Sequence, residues 1–401
     1  MSPARARIAI VGGNFAGLAA ATALSARHAV TVIDPGRFFE WVPHLHEILS
    51  GVKTAPALRL DRAAIVRRAG HRFVRDAVSA LHPAEGWLQT AGGRTLRFDA
   101  CIVALGAVGH DHGVPGVPGV ARHALPFRSV DDARAIAARL RALHWRPQPM
   151  QVVVAGAGIA GVEALGELLR RYRDDPKVSL QLVEAGPRLL PGLPPRLDAD
   201  LRRLCAPFDV GLHVGTPIAA VAAKSLRLAD GRRLRSDLTL WSAGLAPPPL
   251  LRAAGLAGPP PGWADALPTL QSRHAENVFV AGDVAQLAQP LGKQAYHALD
   301  MGALAAANAE RWLAGRALRR YQPSPKPVLI AFGDLQTYLV AGRTVVANRL
   351  LAGAKEGIYQ WFMAQQAPSG LTAALPAAAG RLWQGWQQLA LPQLLALTRS
   401  R

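Results

Sequence analysis

One construction is written twice in this chain, and it leaves few folds open. Residues 8–34, IAIVGGNFAGLAAATALSARHAVTVID, run from a short apolar strand through a glycine turn and an alanine-rich helix to a second apolar strand and an acid. An apolar run bounded by a turn reads as a strand buried on both faces, as in a parallel sheet. The turn Gly12-Gly13-Asn14-Phe15-Ala16-Gly17 lets backbone approach a pyrophosphate, and the helix from about residue 18 to 25 offers unpaired N–H groups to that charge. Asp34 closes the second strand, where a carboxylate can accept ribose hydroxyls. Asn14 replaces the middle glycine of the fingerprint. Asparagine tolerates positive φ best after glycine, so the turn is expected to survive.

Residues 151–184 repeat the unit with a complete G-x-G-x-x-G, Gly156-Ala157-Gly158-Ile159-Ala160-Gly161, between the Val152-Val153-Val154 strand and a helix expected over 162–171. A second strand over 178–183 ends in Glu184. Two complete units are far more specific than a lone fingerprint. The fold class that follows is α/β, with two Rossmann-like dinucleotide-binding domains, the second inserted in the first. Residues 102–106 and 238–244 are apolar strands ending in small-residue turns, at Ala104 and Gly106 and at Gly244. Each is expected to close one nucleotide domain. A third such strand, NVFVAGD, ends at Gly282 and Asp283, and a long alanine-rich helix should follow from about 293 to 313. The expected domains are 1–115 with 265–325, then 116–264, then a C-terminal α/β region with amphipathic helices over 326–401.

Composition removes several function classes. The formal charge is +19, yet only six of the 46 basic residues are lysine, and the arginines are scattered without a block. That reads as compositional bias rather than a nucleic-acid footprint. An anionic membrane surface suits diffuse positive charge better. Cys101 and Cys205 are the only cysteines and form no CxxC or CxxxxC pair, which argues for a reducing compartment and against dithiol chemistry. No stretch reaches the roughly 20 apolar residues that span a bilayer. The expected location is cytoplasmic, peripheral on the cytoplasmic face of the inner membrane.

The order of segments (first fingerprint, FDACIVALG, GAGIAGVEALGEL, LVEAGPRLLP, LWSAGLAP, NVFVAGDVA) resembles the two-dinucleotide-binding-domain flavoproteins. Within them it is most similar to the type II NADH dehydrogenase branch, over about residues 6 to 312. The resemblance implies FAD in the first unit and NADH in the second. It puts Asp34 on the adenosine ribose of FAD, the backbone near Val78 at its adenine and Asp283 on its ribityl chain. Gly156, Gly158 and Gly161 would cradle the NADH pyrophosphate, with Glu184 on its ribose and repelling a 2′-phosphate. One segment departs from the branch. Lys293-Gln294-Ala295-Tyr296 stands where an AQ…QQG pattern is usual, and looks more like the apoptosis-inducing-factor-like quinone reductases. The acceptor is therefore a quinone or another two-electron acceptor. The rival readings are a soluble reductase of a protein or small molecule, and a redox-sensing flavoprotein module.

Flavin chemistry asks little acid–base machinery of the protein. The two candidate catalytic groups are Glu163, early in the second helix and facing the nicotinamide, and Lys293, at the start of a helix whose N-terminus would stabilise negative charge on the flavin. His44 and His46, like His110 and His112, read as loop histidines without the partners of a metal site. The last 45 residues, 357–401, hold Trp361, Trp383 and Trp386 but no Asp or Glu. They read as interfacial helices on a membrane, or else as the contact to a second copy in a homodimer.

Overall fold

The computed structural model describes residues 5–109 and 117–368. His110, His112 and the expected interfacial helices beyond residue 368 lie outside the described residues. The chain divides into two units, 1–40 with 59–108 and 245–324, and 41–58 with 109–244 and 325–401.

The first unit is built on a five-stranded parallel sheet in the order Val278–Val280, Ala100–Val103, Arg7–Val11, Ala29–Ile33, Arg72–Val74. Its central strands are buried on both faces, which is why they read as unbroken apolar runs. Helix Phe15–Ala23 follows the first strand and packs on helix Ala295–Leu313. Small residues permit a close approach, since a Cβ on Gly302 would lie 2.1 Å from the Ala16 carbonyl oxygen. A three-stranded antiparallel sheet, Val78–His82, Trp87–Thr90 and Thr95–Arg97, completes the unit.

The second unit repeats the plan. Its parallel sheet runs Ala124–Pro126, Leu238–Trp241, Met150–Ala155, Val178–Val183, Val210–His213. Helix Ile159–Tyr172 carries a C-terminal meander, Val328–Phe332, Gln336–Ala341 and Thr344–Ala347, followed by helix Leu351–Gln366. Helix and meander touch at two glycines. A Cβ on Gly166 would come within 2.5 Å of the Gly333 nitrogen, and one on Gly333 within 2.2 Å of the Gly166 carbonyl oxygen.

Three expectations change. The described C-terminal residues, up to 368, fall in the second unit instead of standing apart, because their meander packs on helix Ile159–Tyr172. Residues 41–58 also belong to the second unit, whereas 245–264 belong to the first. Helices begin where backbone geometry, not apolar period, dictates. The second opens at Ile159 after Gly158, earlier than 162, because its first turn is the glycine turn itself. The long helix opens at Ala295, after an extended Gln294, later than Lys293.

Candidate functional site: two nucleotide cradles and a buried ionic cluster

In the first cradle, strand Arg7–Val11 ends at Gly12, whose φ of 100° is left-handed and whose N–H donates to the Ile33 carbonyl at 2.9 Å. A Cβ on Gly12 would lie 2.3 Å from the Ala104 carbonyl oxygen, and one on Gly17 only 1.9 Å from that of Gly12. Only glycine fits either place. Asp34 ties the turn together, accepting from Gly13 N and Gly36 N, each at 2.7 Å. Asn14 does not use positive φ. It sits at φ −101°, and its side chain exchanges hydrogen bonds with the Glu40 backbone at 3.3 and 3.2 Å. The residue survives in the fingerprint as a hook to the next segment, not as a substitute glycine.

Ala16 meets Gly282 under this turn, where a Cβ on Gly282 would lie 3.0 Å from that of Ala16. Gly106, at φ 65°, faces open space. Val78 packs on the core formed by Val11, Ile33 and Val74. Asp283 is held through its backbone carbonyl, which accepts from Lys293 Nζ, while the same ammonium stands 3.4 Å over the Trp263 ring.

The second cradle has the same parts. Gly156 has φ 97° and donates to the Val183 carbonyl at 2.8 Å. A Cβ on Gly161 would be 1.9 Å from the Gly156 carbonyl oxygen and 2.7 Å from Ser242 Oγ, which donates to the carbonyls of Ala155 and Gly156. Glu184 accepts from Ala157 N at 2.6 Å and Gly186 N at 2.7 Å. Gly244 has φ 74° at the end of the Leu238–Trp241 strand. Above Gly158 nothing lies within 4 Å of where a Cβ would be. Glycines closed by the fold at 12, 17, 156 and 161, and open at 106 and 158, are what a dinucleotide laid on these turns requires.

Glu163 is neither a first-turn acid nor solvent-facing. Its helix turns it inward, to 5% exposure, where Oε1 accepts from Lys355 Nζ at 2.5 Å and from Ala331 N at 3.0 Å. Oε2 lies 3.4 Å from His46 Nδ1, and His46 Nε2 is 3.3 Å from the same Lys355 ammonium. Burial pushes the Glu163 carboxyl up against the opposing pull of Lys355. His44 and His46 are buried as well, correcting their reading as loop histidines. Trp41 Nε1 donates to His44 Nδ1 at 2.6 Å, and the two imidazoles stack with centroids 6.1 Å apart. Burial, reinforced by Lys355 and Lys53, drives His44 down to about 2 and His46 well below its ordinary value, so both are neutral.

An outer layer surrounds this triad. Lys53 Nζ lies 2.8 Å from Glu356 and 3.7 Å from Glu47, and burial raises the Glu47 carboxyl to about 7. His44, Glu47 and Glu356 bring ligand-type atoms within 4.8 Å of one another, but Lys53 already supplies positive charge between the two acids. Lys355 and His46 were absent from the sequence-level site. They stand 309 residues apart, and no local motif joins them. Both thiols are buried, Cys101 in a strand and Cys205 at a helix end, and burial pushes them up to about 12 and 11.

The profile of the pyridine nucleotide-disulphide oxidoreductase family matches residues 6–302, which contain both cradles. The chain belongs to that family. Curated relatives include the type II NADH:quinone oxidoreductases of Staphylococcus aureus. The MSSA476 protein is 24% identical, with 88% of this chain and 93% of the relative covered, and the NCTC 8325 protein is 25% identical, covering 83% and 89%. Among solved structures, NDH2 of Plasmodium falciparum in complex with NADH superposes with a TM-score of 0.77 at 14% identity, over 88% of this chain and 94% of that one. The sulfide:quinone oxidoreductase of Aquifex aeolicus gives 0.79 at 15%, over 90% and 91%. At such identities the likeness is one of fold. Within the family, this member has no CxxxxC pair, and its two cysteines are buried.

Proposed function

We propose that the chain is an FAD-dependent oxidoreductase that takes electrons from NADH and delivers them to a quinone at a membrane surface. The observation that carries this reading is the pair of equivalent cradles in one chain, with Glu163, Lys355 and His46 buried beside the second. The type II NADH:quinone oxidoreductases among its relatives supply the acceptor class. Bound FAD supplies the two-electron exchange between donor and acceptor.

The protein's residues do the rest. Gly12, Gly13, Asn14, Ala16 and Gly17 seat one pyrophosphate, while Gly156, Gly158 and Gly161 seat the other at a helix N-terminus. Glu184 takes the adenosine ribose of NADH and disfavours a 2′-phosphate. Lys293 fixes the Asp283 backbone, where the flavin's ribityl chain would run. Reducing a quinone with NADH consumes one further proton from solvent. Glu163 can hold it, because its burial favours the protonated acid, and Lys355 hydrogen-bonds it. The acid-free stretch 357–401, most of it beyond the described residues, is the proposed contact with anionic lipid. No helix among the described residues is long and apolar enough to cross a membrane.

An acceptor screen tests the reading. NADH should support turnover with a short-chain quinone. Glu163→Gln should slow that reaction by about 100-fold and slow reduction of ferricyanide, an acceptor that takes electrons without protons, by less than about 3-fold, a change within roughly 0.7 kcal/mol. A folded protein that takes up no FAD would overturn the flavoprotein assignment, and one that reduces ferricyanide but no quinone would move it to a soluble reductase.

A further inference from the structure

Arg188 stands four residues past Glu184, where an arginine is the residue type that could receive a nucleotide's 2′-phosphate. The structure gives it other work. Its Nη1 donates to the carbonyls of Leu190 and Leu193 at 3.2 and 2.7 Å, and its Nη2 donates to that of Pro191 at 2.7 Å. Three carbonyls of one short loop converge on a single guanidinium, which a planar fork can serve and a point charge cannot.

The loop gathered in this way, residues 186–193, is fastened to the second cradle. Leu190 N donates to the Ala157 carbonyl at 2.9 Å, and Ala157 N donates to Glu184 Oε2 at 2.6 Å. Leu189 N donates to Asp198 Oδ1 at 2.8 Å, and Leu193 N donates to the Leu190 carbonyl at 2.9 Å. Leu190 is buried with a left-handed φ of 49°, a conformation that a leucine keeps only where its surroundings impose it. The loop's two ends meet beside the acid. Gly186 N donates to Glu184 Oε1 at 2.7 Å, and a Cβ on Gly186 would lie 3.1 Å from that oxygen and 3.5 Å from Pro191 Cβ. One carboxylate oxygen of Glu184 is thus anchored by the glycine turn, the other by the loop that Arg188 folds.

We propose that Arg188 is the positioning residue that sets nucleotide choice in the second cradle. By folding loop 186–193 it holds the Glu184 carboxylate where that group accepts the ribose hydroxyls of NADH. Its own terminal nitrogens, committed to backbone carbonyls, are withheld from a 2′-phosphate. This deepens, and rests on, the assignment of NADH to the second cradle.

The test measures binding of ADP-ribose and of 2′-phospho-ADP-ribose to the flavin-loaded enzyme by titration calorimetry, which needs no turnover. The parent should bind ADP-ribose at least about 10-fold more tightly. Arg188→Lys keeps the charge and gives up the fork. It should weaken ADP-ribose by about 10-fold, the loss expected when an ordered charge-assisted contact is released. The phosphorylated probe should weaken by less than about 2-fold, so the preference narrows. Gly186→Ala crowds the loop against Glu184 without altering Arg188, should act in the same direction, and carries the test if the Lys variant does not fold. In a Glu184→Gln background, Arg188→Lys should move the preference by less than about 2-fold, because its effect runs through the acid. Unchanged ADP-ribose affinity in Arg188→Lys would overturn the proposal. So would an equal loss of both probes, which would make Arg188 a support of the fold, or a loss confined to the phosphorylated probe, which would make it a direct ligand. A parent that binds neither probe would remove the cradle's assignment to NADH, and the proposal with it.

Discussion

The two cradles share a backbone and differ in their furniture. Each has a left-handed glycine after the first strand, a glycine that cannot bear a Cβ in the first helical turn, and an acid holding two backbone N–H groups. In the first, Asn14 hooks the Glu40 backbone and Arg62 lies across the turn. In the second, the corresponding surface at Gly158 is bare. A site built to keep its ligand needs contacts that only a local rearrangement can release. A site that must turn its ligand over in each cycle works better open. On the proposed assignment, the difference would separate a resident cofactor from a passing substrate on otherwise equal geometry.

The sharpest way to break this comparison is to put a methyl group at two glycines of the second turn. Gly161→Ala places a Cβ 1.9 Å from a carbonyl oxygen, so the unit should lose several kcal/mol and much of its soluble yield, as a thermal melt would show. Gly158→Ala meets nothing within 4 Å, so the melting temperature should hold while KM for NADH rises about 10-fold. A Gly158→Ala variant that unfolds would mean that the open surface is structural.

Glu184→Gln keeps an acceptor for Ala157 N and Gly186 N while removing the charge. The ratio of kcat/KM for NADH over NADPH should narrow by about 10-fold, measured in parallel assays. A parent that prefers NADPH would assign the ribose contact elsewhere.

The smallest effect concerns pH, and it separates the units by their titrating load. The Glu47 carboxyl, raised to about 7 by burial, binds its proton more tightly folded than unfolded. Its contribution is therefore fully present below its ordinary range and is lost as pH rises through 7. Glu47→Gln should flatten the fall in melting temperature between pH 5 and 8 by a few degrees, roughly the shift expected from about 1 kcal/mol. An unchanged slope would place the titration in another group.

Both cradles were legible in the sequence because their physics is local: a strand, a turn that demands glycine, a helix and an acid within about 35 residues. Even there, the role of Asn14 was misread, since a side-chain hook to Glu40 leaves no mark in turn propensity. The ionic cluster was not legible. Glu163 stood out as a candidate early in the second helix, but its partners His46 and Lys355 come from segments that only the tertiary fold brings together. Arg62 was hidden for the same reason, one arginine among many until its 4% exposure set it apart.

The chain visits the two units in six alternating segments, so it crosses between them five times. Made from its N-terminus, the first unit cannot close its parallel sheet until strand Val278–Val280 has emerged to pair with Ala100–Val103. The second waits longer, until Lys355 arrives to pair with the carboxylate of Glu163. Until then the Glu163 side chain, destined for the interior, lacks its partner. The second unit's parallel sheet is already complete with Leu238–Trp241, more than a hundred residues before helix Leu351–Gln366 brings the partner of its buried acid.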